Sequence, residues 1–362
     1  MADINKTTNE NTDTNITENG KNSNLAHLIL NIVKIAFLVI ACLVVIVVIG
    51  ANIYFKVPVM DYYKVSSKAF VIPDLNKGFI PQGLDYDDRC EQFFITGYYK
   101  EQSSPIYRVD KSGKLVGKVI LNNADGSEFI CHAGGIAVHD NYVYIAGGFD
   151  NCLYVFDYND VMNASMNDSI DCIGMFSLEG EGDYLGSATM TVDDEAIYIA
   201  EFYREENYPT NETHHMVTTS GAENKAVMLK FEYSDAEDSS YGLSRIPTVA
   251  YSIPELCQGV SIVDGVAYLS SSYGVAKSHI TGFELQKSAT DKTINMLGSE
   301  VPLYELDESS LVSTIELAPM SEEIEVVDGR MYVMCESASN KYIFGKLTGG
   351  EYCYAIDMAH LK

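Results

Sequence analysis

The sequence predicts an all-β fold, a single β-propeller of five blades, preceded by one N-terminal transmembrane helix. Three observations carry this. A strand–turn–strand pattern recurs five times between residues 79 and 362. The copies share one internal spacing. An uncharged apolar run, Ile35 to Phe55, precedes all of them.

The pattern is clearest in QGVSIVDGVAYLSSSYG, Gln258 to Gly274, where Asp264-Gly265 marks a tight turn between two alternating strands. Related stretches run from Gly134 to Gly148, Ala188 to Phe202 and Glu322 to Ser337, with a looser copy from Gln82 to Tyr99. In four copies an anchor residue is followed nine positions later by tyrosine: Gly135 to Tyr144, Thr189 to Tyr198, Gly259 to Tyr268, Glu323 to Tyr332. In the first, Gly83 is followed by Phe93, one residue longer in the turn. A third apolar strand follows in Ile106 to Val109, Leu153 to Phe156, Met228 to Phe231 and Ile280 to Phe283. A fourth follows in Leu115 to Leu121, Ile173 to Leu178 and Thr248 to Ile253. Four-stranded units at such periods are propeller blades, and one unit cannot bury both its faces alone. Five anchors give five blades, with six as the alternative count. A β-sandwich also uses many short strands, but the shared spacing argues against it.

In chain order, residues 1–25 are rich in Asn and Thr and too poor in apolar residues to fold, so they are expected to be a disordered tail. Residues 26–55 hold the apolar run, long enough to cross about 30 Å of hydrocarbon as a helix. Val39-Ile40-Ala41-Cys42 resembles a lipoprotein box, yet the chain stays apolar well past Cys42, and Gly50-Ala51 is a poor cleavage site. An uncleaved signal anchor fits best. Lysines flank the run on both sides, so charge does not fix its orientation. A short tail inside and a large domain outside is the expected arrangement, which places the protein in the cell membrane as a single-pass, extracytoplasmic domain. Residues 56–78 are a linker with a strand-like stretch from Tyr62 to Ile72, suited to closing the ring against the brief last unit. Residues 79–362 form the propeller. Tyr203 to Lys225 and Gln286 to Ser299 interrupt the repeat as polar loops, the first carrying His214-His215 as an exposed pair.

The chain has no Trp, 25 Tyr and a formal charge of −27. That charge excludes nucleic acid as a partner. Seven of the eight cysteines fall in the folded part, without a CxxC, so a thiolate metal site has no support. Cys152 with Cys172, and Cys335 with Cys353, are spaced to bridge strands within a blade; burial as free thiols is the alternative. Sequons occur at Asn163, Asn167 and Asn211 and are frequent by chance in Asn-rich sequence.

Blade topology locates a site. First strands begin, and second strands end, at the same mouth of the central channel, which forms a funnel. Gln82, Tyr98, His132, Asp150, Gln258 and Tyr273 are the ligand-binding candidates there. Glu201, Glu322 and Glu336 reach the same rim, a set of hard oxygen ligands suited to Ca²⁺ or Mg²⁺. Glu322 and Glu323 are neighbours in one strand, so alternation directs only one of them, Glu322, to the channel.

The phrases PQGL (Pro81 to Leu84), CHAGGIAV (Cys131 to Val138), CQGVSIVDGVAYLSSSYG (Cys257 to Gly274) and APMSEEIEVVDGRMYVMCESASNKY (Ala318 to Tyr342) resemble a group of bacterial extracytoplasmic propeller proteins. That group is related in fold to YVTN-type and quinoprotein-dehydrogenase-β-like propellers. The resemblance spans Phe79 onward and implies fold and compartment without an activity. The chain is also comparable with gluconolactonase-like propellers, whose Glu-Gly-Pro metal-site opening is absent here. These readings lead to a membrane-anchored binding or scaffolding module whose funnel takes a small molecule, glycan or protein. The alternative is a divalent-metal-assisted hydrolase or lactonase with its site in the channel.

Overall fold

The computed structural model describes residues 11–342 and 345–361. One helix, α1, runs over Asn11–Lys56. Its stretch Asn24–Lys56 has a mean hydropathy of 3.3 and is long and apolar enough to cross a membrane. Of the tail expected to be disordered, residues 1–10 lie outside the described residues, and from Asn11 the chain is helical. Extending an existing helix fixes one residue per hydrogen bond gained, so polar turns are readily carried on a long apolar helix.

The remainder builds five four-stranded blades around one axis. Blade one comprises Ile80–Asp87, Gln92–Tyr98, Pro105–Asp110 and Leu115–Asn122. Blade two comprises Ile136–His139, Tyr142–Ala146, Cys152–Asp157 and Gly174–Ser177. Blade three comprises Thr189–Val192, Ala196–Ala200, Ala226–Glu232 and Val249–Ile253. Blade four comprises Cys257–Val263, Val266–Ser271, Ser278–Glu284 and Leu311–Leu317. Blade five comprises Ser321–Val327, Arg330–Cys335 and Tyr352–Asp357, and takes its outer strand, Ser66–Val71, from before blade one. That antiparallel pairing joins the two ends of the domain and covers the edge that Tyr352–Asp357 would otherwise leave open.

The first two strands of each blade form a hairpin because the turn between them is short, and in four blades that turn holds a residue with positive φ. Asp264-Gly265 (52° and 77°) and Asp328-Gly329 (51° and 71°) take the left-handed conformation at both central positions, which matches the twist of the flanking strands. The polar segment expected as a loop near Gln286 instead forms strands. Ala289–Met296 pairs with Ser299–Glu305, which adds parallel to the edge of blade three. Thr290, Ile294 and Met296 lie on one face of the first strand and are its less exposed residues, a pattern hidden by the charged residues between them.

The blades are held by five apolar clusters, one at each blade–blade interface. Phe94 with Phe156 belongs to the layer between blades one and two, Tyr144 with Ile197 between two and three, and Met228 with Leu269 between three and four. Ile280 with Met331 lies between four and five, and Phe93 with Met334 between five and one. At the axis the anchor residues meet. A Cβ on Gly83 would lie 2.6 Å from the Ile136 nitrogen, and one on Gly259 would lie 2.6 Å from the Glu322 carbonyl oxygen. Glycine at these anchors is therefore what lets the inner strands approach one another.

Candidate functional site

The shared mouth of the inner and second strands opens as a funnel of about 710 Å³. All five blades wall it: Gln82 and Tyr98 from the first, His132 and Phe149 from the second, Tyr184, Glu201, Phe202 and Tyr208 from the third, Gln258 and Tyr273 from the fourth, and Glu336, Lys341 and Tyr342 from the fifth. Of the nine residues singled out from sequence, seven line it: Gln82, Tyr98, His132, Glu201, Gln258, Tyr273 and Glu336.

Asp150 and Glu322 are not on the wall. Gly148 and Asn151 both have positive φ (64° and 48°), and the tight turn they make presents Phe149 to the funnel. Asp150 instead accepts a hydrogen bond from the Tyr154 hydroxyl at 2.9 Å. Glu322 is buried, and its Oε1 has no hydrogen-bond partner among the described residues. Strict alternation fails for the Glu322–Glu323 pair because the register slips between Ser321 and Ile324. Glu323 is buried too and crosses the axis. It accepts from the Val260 N–H of blade four at 2.7 Å and from the Thr189 hydroxyl of blade three. Farther down, Asp85 of blade one accepts the Val138 N–H of blade two at 2.6 Å, and burial pushes its carboxyl up to about 7. Thus carboxyls stitch inner strands together where backbone pairing between blades is absent.

Glu201 is committed elsewhere. His214, expected on an exposed loop, is fully buried: its Nδ1 lies 2.9 Å from Glu201 Oε2 and its Nε2 lies 3.0 Å from Asp183 Oδ1. Burial works against the charged ring, but the two carboxylates overcome it and lift His214 to about 9. Glu201 also accepts the Val227 N–H at 3.0 Å. This clamp fixes the segment that delivers Tyr208, Pro209 and Thr210 to the funnel wall. His215 makes a separate contact, 3.0 Å to Thr210 Oγ1. Among the described residues no three His, Cys, Asp or Glu side chains come together in a group able to hold a metal ion. The donor set expected for Ca²⁺ or Mg²⁺ is therefore split, with Glu201 on His214 and Glu322 and Glu336 in blade five. All eight cysteines are free thiols, including the Cys152–Cys172 and Cys335–Cys353 pairs.

The polar groups around blade five form a network in which the sequence reading named Glu336, Gln82, Tyr98 and His132 but not Lys341 or Tyr342. Glu336 accepts from Tyr342 Oη at 2.5 Å and from Gln82 Nε2 at 3.2 Å. Lys341 Nζ donates to Tyr98 Oη at 2.6 Å and lies 5.2 Å and 5.0 Å from the ring centres of Tyr98 and Tyr342. The His132 ring packs 4.6 Å from Tyr98, and burial, with Lys341 nearby, lowers it to about 4, so it is neutral. Burial raises the Glu336 carboxyl, and burial together with the Glu336 charge raises Glu322 well above the carboxylate range. At the rim, Phe149 and Tyr208 stack at 5.8 Å, and Phe202 meets Tyr208 edge-on at 5.2 Å. Arg204 lies over Tyr273 at 4.2 Å and is paired with Glu206 at 2.6 Å. Lys341 and Tyr342 occur in a segment with no strand pattern, so periodicity could not mark them.

No family model and no curated protein matches the chain. Solved structures similar to it include Myxococcus xanthus glutaminyl cyclase, at 11% identity and a TM-score of 0.41, covering 81% of this chain and 92% of that one. The PQQ-bound aldose sugar dehydrogenase of Streptomyces coelicolor is similar at 10% identity and 0.41, covering 80% and 95%. BamB of Moraxella catarrhalis is similar at 11% and 0.32, covering 78% and 84%.

Proposed function

We propose that this chain is a membrane-anchored, extracytoplasmic binding module that takes a small organic ligand in the funnel. The supporting observation is the funnel itself: all five blades contribute to one cavity of about 710 Å³, with Tyr, Phe and His rings around a few convergent polar groups. Cavities of that size and lining are the usual form of small-molecule sites. The apolar stretch Asn24–Lys56 supports anchoring. A ligand-induced melting shift tests the reading on the full chain in detergent. Compounds that bind the folded state raise its melting temperature, by an amount that grows with the logarithm of ligand excess over Kd. Hits are expected to stabilise the unmodified chain and to lose that effect in a Phe149→Ser, Tyr273→Ser double variant. Equal stabilisation of both proteins, or no stabilisation across a broad panel, overturns the reading. Protease accessibility of residues 60–362 in intact cells tests the orientation; full protection contradicts it.

A further inference from the structure

Building on the binding reading above, we infer that the ligand carries a positively charged nitrogen, a primary or quaternary ammonium, held against Glu336 inside the tyrosine wall. The argument begins with charge. Glu336 stands on the blade-five side of the funnel wall. The cation on this side, Lys341, donates to the Tyr98 hydroxyl and not to Glu336. Both hydrogen-bond partners of Glu336, Tyr342 and Gln82, are uncharged, so this carboxyl on the wall has no ion pair among the described residues. An unpaired buried carboxyl is costly, so an arriving cation is favoured there over a neutral group.

The second strand of the argument is the wall. Aromatic faces attract ammonium groups through the ring quadrupole, and clusters of such rings select quaternary ammonium ligands. Lys341 already demonstrates the geometry inside this chain. Its ammonium sits about equally far from the Tyr98 and Tyr342 ring centres, at 5.2 Å and 5.0 Å. Tyr208, Phe202 and Phe149 continue the aromatic wall across the funnel. The other cation near the rim, Arg204, is neutralised by Glu206 and does not compete for Glu336. His132 is neutral and adds no positive charge.

The test is calorimetric titration of the full chain in detergent with choline and with its uncharged isostere 3,3-dimethylbutan-1-ol. Choline is expected to bind at least tenfold more tightly. Glu336→Gln, which keeps the volume and can still accept from Tyr342, is expected to remove most of that preference. Lys341→Met takes away the resident ammonium and is expected to tighten choline binding severalfold, a result that a purely structural role for Lys341 would not give. Equal affinity for choline and the isostere overturns the inference while leaving a neutral-ligand funnel intact. Failure of both probes also overturns it. In that case only the wider compound panel decides whether the funnel binds anything.

Discussion

His214 offers a quantitative check on how the funnel is held open. Its ring bridges Glu201 and Asp183 at 2.9 Å and 3.0 Å with no exposure to solvent. The two carboxylates lift it from 6.5 to about 9. A raised histidine gives stability that is fully present below the unfolded value near 6.5 and is lost as pH rises through about 9. At about 1.4 kcal/mol per unit, the shift corresponds to stabilisation on the order of 3 kcal/mol below pH 6.5. His214→Gln removes that contribution and leaves the buried Glu201 and the half-buried Asp183 without their cation. Removal of one partner of a buried pair typically costs about 3–5 kcal/mol, the same range. The assay is thermal melting of the full chain and the variant at pH 6, 8 and 10. The gap between the two proteins is expected to be several degrees at pH 6 and to narrow above pH 9. A gap that does not change with pH would mean that the ring acts by packing alone and refutes the ion-triad reasoning.

Three further outcomes follow from the ring. Asp85 is raised to about 7 by burial, so the stability it contributes is present below its unfolded value and is lost as pH rises through about 7. Asp85→Asn should therefore flatten the stability–pH curve between pH 4 and 8, as followed by urea denaturation. Phe70, on the ring-closing strand, is buried and packs 5.2 Å from Phe93, so Phe70→Ala should cost about 3–5 kcal/mol, while the exposed Val71→Ala should cost little. Gly259→Ala would force a Cβ to 2.6 Å from the Glu322 carbonyl, and should destabilise by at least about 1–3 kcal/mol in the same denaturation assay.

The architecture was legible because its signal is periodic. The anchor-to-tyrosine spacing recurs in sequence for a physical reason. The anchors lie where inner strands crowd the axis, and the aromatic nine or ten residues later falls on the second strand, so each blade repeats one solution. The funnel lining was legible where topology alone decides it, as at Gln82, Gln258 and Tyr273, which stand at strand ends. Alternation misled where the backbone leaves regular strand geometry. The turn at Gly148–Asn151 turns Phe149 rather than Asp150 inward, and the slip after Ser321 buries both Glu322 and Glu323. His214 was misread because a polar loop sequence gives no sign of the two carboxylates that meet it, one of them 31 residues away in the chain. Lys341 has no periodic context at all; only the folded ring brings it to Tyr98, 243 residues earlier.

The claim at the centre of this account is that ligand enters the funnel and touches its aromatic wall. Hydroxyl-radical footprinting of the full chain, read by mass spectrometry with and without a stabilising compound, tests it most directly. Phe149 and Tyr273 are 73% and 41% exposed, so both report readily when the funnel is empty. Bound ligand should protect them, together with Phe202 and Tyr208, and leave Leu311 and Val312 on the outer strand of blade four unchanged. Protection at Leu311 and Val312 with unaltered labelling of Phe149 and Tyr273 would contradict the account.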